Sequence, residues 1–169
     1  MTARLRLWLT SLLGVLTLGC AGYQLGPTQS LPYRSIAVLM FKNKTLKPQL
    51  EAQITNAIIK RFQRDGTLRI ESAENADVVL TGQITNYDRH ELRAVRNDVN
   101  TPREYRITIT ARIEARLRGT GELVFSPVTV EGRADAFIGT DLQSADEQAL
   151  PLIAEDLAKR VMPLLAERW

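Results

Sequence analysis

Three kinds of side chain give this chain of 169 residues its chemical potential: one cysteine, one histidine and a run of arginines in its second half. A thiolate attacks carbonyls when a nearby imidazole takes its proton, yet Cys20 closes an apolar N-terminal run and His90 stands between Arg89 and Glu91, the pattern of a solvated strand edge. A single cysteine makes no intrachain disulfide and no cysteine-cluster metal site, and a single histidine supports no histidine-rich metal chemistry. Gly119-Thr120-Gly121 lacks the remainder of either glycine-rich phosphate loop and reads as a tight turn. Asp135, Asp141, Asp146 and Glu147 gather about the start of the last helical segment, where the helix dipole accounts for carboxylates. The arginines are more specific. Arg89, Arg93, Arg96, Arg103, Arg106, Arg112, Arg116 and Arg118 fall in one stretch, and a guanidinium fork matches carboxylate and phosphate oxygens in two-point pairing. Glu91, Glu104 and Glu114 lie among them, so a self-neutralised sheet face, at about 0–1 kcal/mol per pair, competes with an anion-binding one. No set of residues makes a positive case for catalysis.

The elements that would position these residues begin with a processing signal. Arg4 and Arg6 precede an apolar stretch from Leu7 to Leu18, too short to span a bilayer core, which takes about 20 apolar residues. Gly19-Cys20 ends it, and this closing pair resembles the lipobox of bacterial lipoproteins. Thr17 and Leu18 depart from that pattern, and an ordinary secretion signal with an incidental cysteine is the competing reading. The position of the chain's one cysteine decides for the lipobox. The resemblance implies cleavage before Cys20, with diacylglyceryl and N-terminal acyl groups on that residue. Several acyl chains on one residue anchor where a single chain holds only marginally. Ala21 follows, and the absence of Asp there resembles the pattern for outer-membrane retention.

Cleavage changes the electrostatics. The formal charge of +3 becomes +1 once Arg4 and Arg6 are lost, with 20 basic against 19 acidic side chains in a mature chain of 150 residues. Overall basicity therefore argues for no anionic partner. Hydrophobic residues at 44% and charged ones at 24% place the remainder among globular domains, and aromatics at 6% are too sparse for a base-stacking surface. The expected organisation is a signal peptide at 1–19, a lipidated N-terminus and tether at 20–33, and one α/β domain at 34–169.

Within that domain, Arg34–Phe41 is an apolar run of strand length, and Gln49–Asp65 carries Leu50, Ile54, Ala57, Ile58 and Phe62 on one helical side. Leu68–Ile70 is a short strand. Val78–Leu92 alternates until Tyr87 and Leu92 break its register, which places a bulge or bend near Asn86. Arg103–Arg118 is a half-exposed strand whose fifteen residues from Glu104 alternate without exception, apolar at odd positions and polar at even ones. A turn at Gly119–Gly121 leads into Leu123–Phe137, whose register changes at Pro127. Asp141–Glu167 reads as a helix capped by Asp141 or Ser144, with Pro151 and Pro163 bending or dividing it. The order β-α-β-β-β-β-α predicts a two-layer α+β sandwich with both helices on one sheet face.

Gly19-Cys20-Ala21-Gly22-Tyr23-Gln24-Leu25, Ile36-Ala37-Val38 with Phe41-Lys42-Asn43-Lys44-Thr45, Pro48-Gln49-Leu50-Glu51 and Glu104-Tyr105-Arg106-Ile107-Thr108-Ile109 together resemble the lipopolysaccharide-assembly outer-membrane lipoprotein family, LptE. The resemblance spans essentially the mature chain. It implies a mostly antiparallel four-stranded sheet covered by two helices, no catalytic residue and no cofactor beyond the acyl groups on Cys20. It also implies an LptD-type β-barrel as partner, with the chain lipid-anchored in the outer membrane, facing the periplasm and within the barrel lumen. The chain would plug and support the barrel and bind lipopolysaccharide during insertion into the outer leaflet. Arg96 and Arg103 are then the first expected lipopolysaccharide contacts, with Arg89 and Arg93 next. A competing class shares the Ile-Ala-Val…Phe-x-Asn-x-Thr strand: oligomeric periplasmic lipoproteins acting as scaffolds or pore subunits of secretion and curli-type export systems.

Overall fold

Alternation in the strand Arg103–Leu117 organises the fold. A computed structural model of the protein describes residues 31–93, 103–138 and 142–166. The segment holding Cys20, residues 94–102 with Arg96, and the proposed Asp141 cap lie outside the described residues.

The strands are β1 (Ser35–Val38), β2 (Lys42–Asn43), β3 (Arg69–Ile70), β4 (Val78–Arg93), β5 (Arg103–Leu117) and β6 (Leu123–Ile138). The helices are α1 (Leu50–Asp65), α2 (Leu142–Val161) and the short α3 (Pro163–Ala166). The sheet runs β3-β1-β4-β5-β6, and β2 pairs with β4 beyond the end of β1. β4, β5 and β6 form an antiparallel meander, whereas β1 is parallel to both β3 and β4, and β2 is parallel to β4. The sheet is therefore mixed and six-stranded, a correction to the four-stranded, mostly antiparallel sheet expected above. The α1 crossover explains the difference, because a helix between neighbouring strands returns the chain in the same direction.

One face of the sheet is covered. Ile107, Ile109, Ala111, Ile113 and Ala115 of β5 are buried beneath the helices, with Val78, Leu80 and Ile84 of β4 beside them. Leu50, Ile54, Ile58 and Phe62 supply α1's stripe, and the helix stops at Gly66, whose φ of 75° and N–H bond to the Phe62 carbonyl at 3.0 Å make a left-handed C-cap. α2 buries a stripe rich in alanine, Ala145, Ala149, Ala154 and Ala158 with Ile153 and Leu157, which lets the helix lie low on the sheet. Pro151 is carried within α2 on an exposed turn, and Pro163 opens α3, so the second proline divides the C-terminal segment and the first does not. The Tyr33 hydroxyl donates to the Leu165 carbonyl at 2.9 Å and ties the domain's two ends together.

Three irregularities matter for function. β1 ends at Val38 rather than continuing to Phe41, because Phe41 turns inward over Gly82. A Cβ on Gly82 would stand only 2.3 Å from the Phe41 ring. The Phe41 amide bonds to the Thr55 hydroxyl on α1 at 3.1 Å instead of to the sheet. Leu39 and Met40 are left 40% and 60% exposed at the break. The bulge near Asn86 is present, between Ile84 and Asn86. β6 likewise slips register between Val128 and Phe125, the change expected at Pro127.

Candidate functional site

The β4 bulge flips which residues face the helices. Val78, Leu80, Gly82 and Ile84 point inward before it. Beyond it Tyr87 and Arg89 take the inward positions, opposite Ile109 and Ile107 of β5. A charged side chain on that face needs a partner, since an unpaired buried charge is costly. Asp146, in the second turn of α2 and 3% exposed, supplies it. Its Oδ2 accepts from Arg89 Nη2 at 2.9 Å and from Lys47 Nζ at 2.8 Å, and Lys47 comes from the turn before α1. One carboxylate thus joins three segments. Both cations also sit near the Tyr87 ring, Lys47 at 5.8 Å and Arg89 at 5.9 Å from its centroid.

Electrostatics follow this packing. Burial raises the Tyr87 phenol above its ordinary range, and the negative Asp146 works in the same direction. Desolvation disfavours charged Arg89, but the Tyr87 phenol and the attraction of Asp146 outweigh it and hold the guanidinium more firmly charged than usual. Arg89, expected above on a solvated edge, is instead committed to the layer junction. Asp146 is a buried ion-pair partner rather than a helix-dipole carboxylate.

The opposite face of the meander carries no helix and is polar. Arg106 meets Asp135 in a two-point pair at 2.8 and 2.9 Å, which keeps the Asp135 carboxyl below its ordinary range. Arg133 pairs with Glu131, and Arg116 with Glu114 at 3.3 Å. Arg118 donates to the Ala76 carbonyl at 2.8 Å. Much of the arginine-rich stretch is accordingly neutralised within the protein, and these exposed pairs contribute about 0–1 kcal/mol each. Arg112 has no such partner among the described residues. Lys42 has none either, and the pairing of Lys42 with Gln83 and of Gln83 with Arg112 sets the three in one row across β2, β4 and β5. Lys42 and Lys47 carried no signal in the arginine pattern of the sequence.

Arg93 and Arg103 belong to the strand ends at the far tip of the β4–β5 hairpin, where Arg93 pairs with Glu104 in register. The antiparallel pairing brings their backbones to the same end of the sheet, Arg93 on β4 with Arg89 and Arg103 on β5. His90 lies exposed on the open face in register with Arg106. Among the described residues no three His, Cys, Asp or Glu side chains are grouped to hold a metal, and no helix is long and apolar enough to cross a membrane.

This arrangement, a mixed sheet with helices on one face and a self-paired polar face on the other, defines a two-layer α+β domain of a kind found in solved structures. A hypothetical protein from Chlamydia trachomatis matches with a TM-score of 0.54 at 11% identity, over 80% of this chain and 99% of that one. A minor lipoprotein from Acinetobacter baumannii matches with a TM-score of 0.51 at 13% identity, over 80% and 94% of the two chains. A putative lipoprotein from Caulobacter crescentus matches with a TM-score of 0.50 at 8% identity, over 75% and 88%. At these identities the likeness is one of fold. No curated protein matches the sequence. The family described as LptE, lipopolysaccharide-assembly, matches residues 33–163, from the segment before β1 to the opening of α3. The chain belongs to that family of non-enzymatic accessory lipoproteins.

Proposed function

We propose that the chain is an outer-membrane lipoprotein that plugs and supports an LptD-type β-barrel and binds lipopolysaccharide while it is inserted into the outer leaflet. The family match across residues 33–163 carries this reading, because it covers nearly every described element of the domain rather than one motif. The polar sheet face supports it. A domain seated against the water-lined wall of a barrel is favoured by a surface whose charges are paired, and the Arg106–Asp135, Arg133–Glu131 and Arg116–Glu114 pairs satisfy charges along β5 and β6. In this reading Cys20 is the acylated residue that holds the plug at the membrane. The intact mass of the mature chain, expected to show diacylglyceryl and acyl additions on a chain beginning at Cys20, checks that step.

For lipid contact the reading takes Arg96 and Arg103 first, in and beside the loop of the β4–β5 hairpin, where guanidinium groups compete with divalent cations for phosphate oxygens. Arg93 shares that tip. Arg89 is the least available of the four, its guanidinium being held by Asp146 at 2.9 Å. The double replacement Arg96→Asp with Arg103→Asp is expected to weaken lipopolysaccharide binding by about tenfold or more, two charge-assisted contacts being reversed in sign. Its thermal midpoint should match that of the unmodified chain. Unchanged binding removes both residues from the contact.

A further inference from the structure

The open sheet face carries a depression where two of its irregularities meet. The break between β1 and β2 and the register slip of β6 at Pro127 lie on either side of a depression of about 590 Å³. Its floor and rim combine exposed apolar side chains with unpaired cations. Leu39 and Met40 are large apolar side chains left exposed by the inward turn of Phe41, and Pro127 adds a third apolar surface. Lys42 and Arg112 stand over the same depression with no carboxylate partner among the described residues, and Gln83 lies between them in register. Glu114, the one carboxylate in the lining, is already engaged by Arg116 at 3.3 Å.

We infer that this depression, formed by Leu39, Met40, Lys42, Gln83, Arg112 and Pro127, is a binding site for an anionic amphiphile, a phosphorylated glycolipid that lays an acyl chain on Leu39 and Met40 and an anionic group between Lys42 and Arg112. The inference rests on the lipopolysaccharide-binding reading above and adds to it a second contact, on a different face of the sheet from the helices and away from the hairpin tip. The chemistry selects the occupant. A polar protein wall leaves the two apolar side chains uncovered, and a neutral lipid leaves the two cations unpaired. A free phosphate ion ignores the apolar floor. Two strand spacings, each about 4.8 Å, separate Lys42 from Arg112 across β4, wide enough for a phosphorylated sugar to sit between them. The volume lies within the range of small-molecule sites, about 300–1,000 Å³.

The test uses the full mature chain in a neutral detergent, titrated with purified lipopolysaccharide and, in a parallel arm, with phosphatidylglycerol at equal phosphate concentration. Lys42→Gln with Arg112→Gln is expected to weaken lipopolysaccharide binding by about tenfold. Met40→Asn is expected to weaken it less, through the acyl chain alone. All three residues are exposed, so the thermal midpoints should stay within about a degree or two of the unmodified chain. Phosphatidylglycerol should bind more weakly than lipopolysaccharide and compete poorly with it. Binding by the double variant equal to that of the unmodified chain overturns the inference, as does equal competition by phosphatidylglycerol, which would make the site one for any anionic lipid. Failure of the broader reading looks different: there the unmodified chain binds no lipopolysaccharide at all.

Discussion

Gly132→Ala is expected to lower the stability of the domain by about 3 kcal/mol, the upper end of the cost of overpacking a filled core. The reason is the closeness of α2 to β6. A Cβ built on Gly132 would lie 2.4 Å from the Ile153 carbonyl oxygen and 2.8 Å from the Leu157 Cβ. Both belong to the buried face of α2, and one is backbone, so no side-chain rotation relieves the clash. The helix must lift, and Ile153, Leu157 and Val161, each fully buried, lose packing against β6 together. The alanine-rich stripe of α2 and the glycine of β6 are two halves of one close approach. Gly119→Ala is the control: nothing lies within 4 Å of a Cβ there, and the urea midpoint should be unchanged.

Asp146→Ala is expected to cost a similar amount for an electrostatic reason. Removing one partner of a buried ion pair costs about 3–5 kcal/mol, because the remaining charge is left without compensation. Here two cations lose the same oxygen, yet their side chains are 26% and 28% exposed, so water recovers part of the loss. The expected destabilisation is therefore about 3 kcal/mol, at the lower end of that range. Asp146→Asn, which keeps a neutral acceptor, should lose less. The effect should persist at high salt, since ions screen exposed pairs far more than buried ones. A loss of only a few tenths of a kcal/mol, or one that salt abolishes, would show the cluster to be an ordinary surface pair.

How far the fold was legible depended on how local its causes are. The β5 alternation needed nothing beyond the pleat, and the bulge near Asn86 followed from a broken register within one strand. The end of β1 was not legible. Phe41 reads as one more apolar residue of Arg34–Phe41, and only its approach to Gly82, a contact across the sheet, removes it from the strand. The parallel pairing of β1 with β3 and β4 was equally hidden, since order along the chain does not state which strands become neighbours.

The charged residues show the same division. Their grouping was visible, but the partner of each was not, because Arg106 meets Asp135 and Arg89 meets Asp146 through register and layer contact. One part was recoverable. A bulge at Asn86 sends odd-numbered residues inward, so Arg89 belongs on the helix face, and an arginine there requires a buried carboxylate. The separate roles of Lys47 and Lys42 were not recoverable, because three lysines at 42, 44 and 47 around a turn do not show which one meets a buried carboxylate and which stands unpaired on the open face.

The central claim is that this domain works as the plug of an outer-membrane barrel, and affinity purification of the tagged chain from detergent-solubilised outer membranes tests it most directly. The account predicts that a large β-barrel protein of the LptD type co-purifies in one-to-one ratio with the chain. Recovery of the chain as a homo-oligomeric ring with no barrel would contradict it.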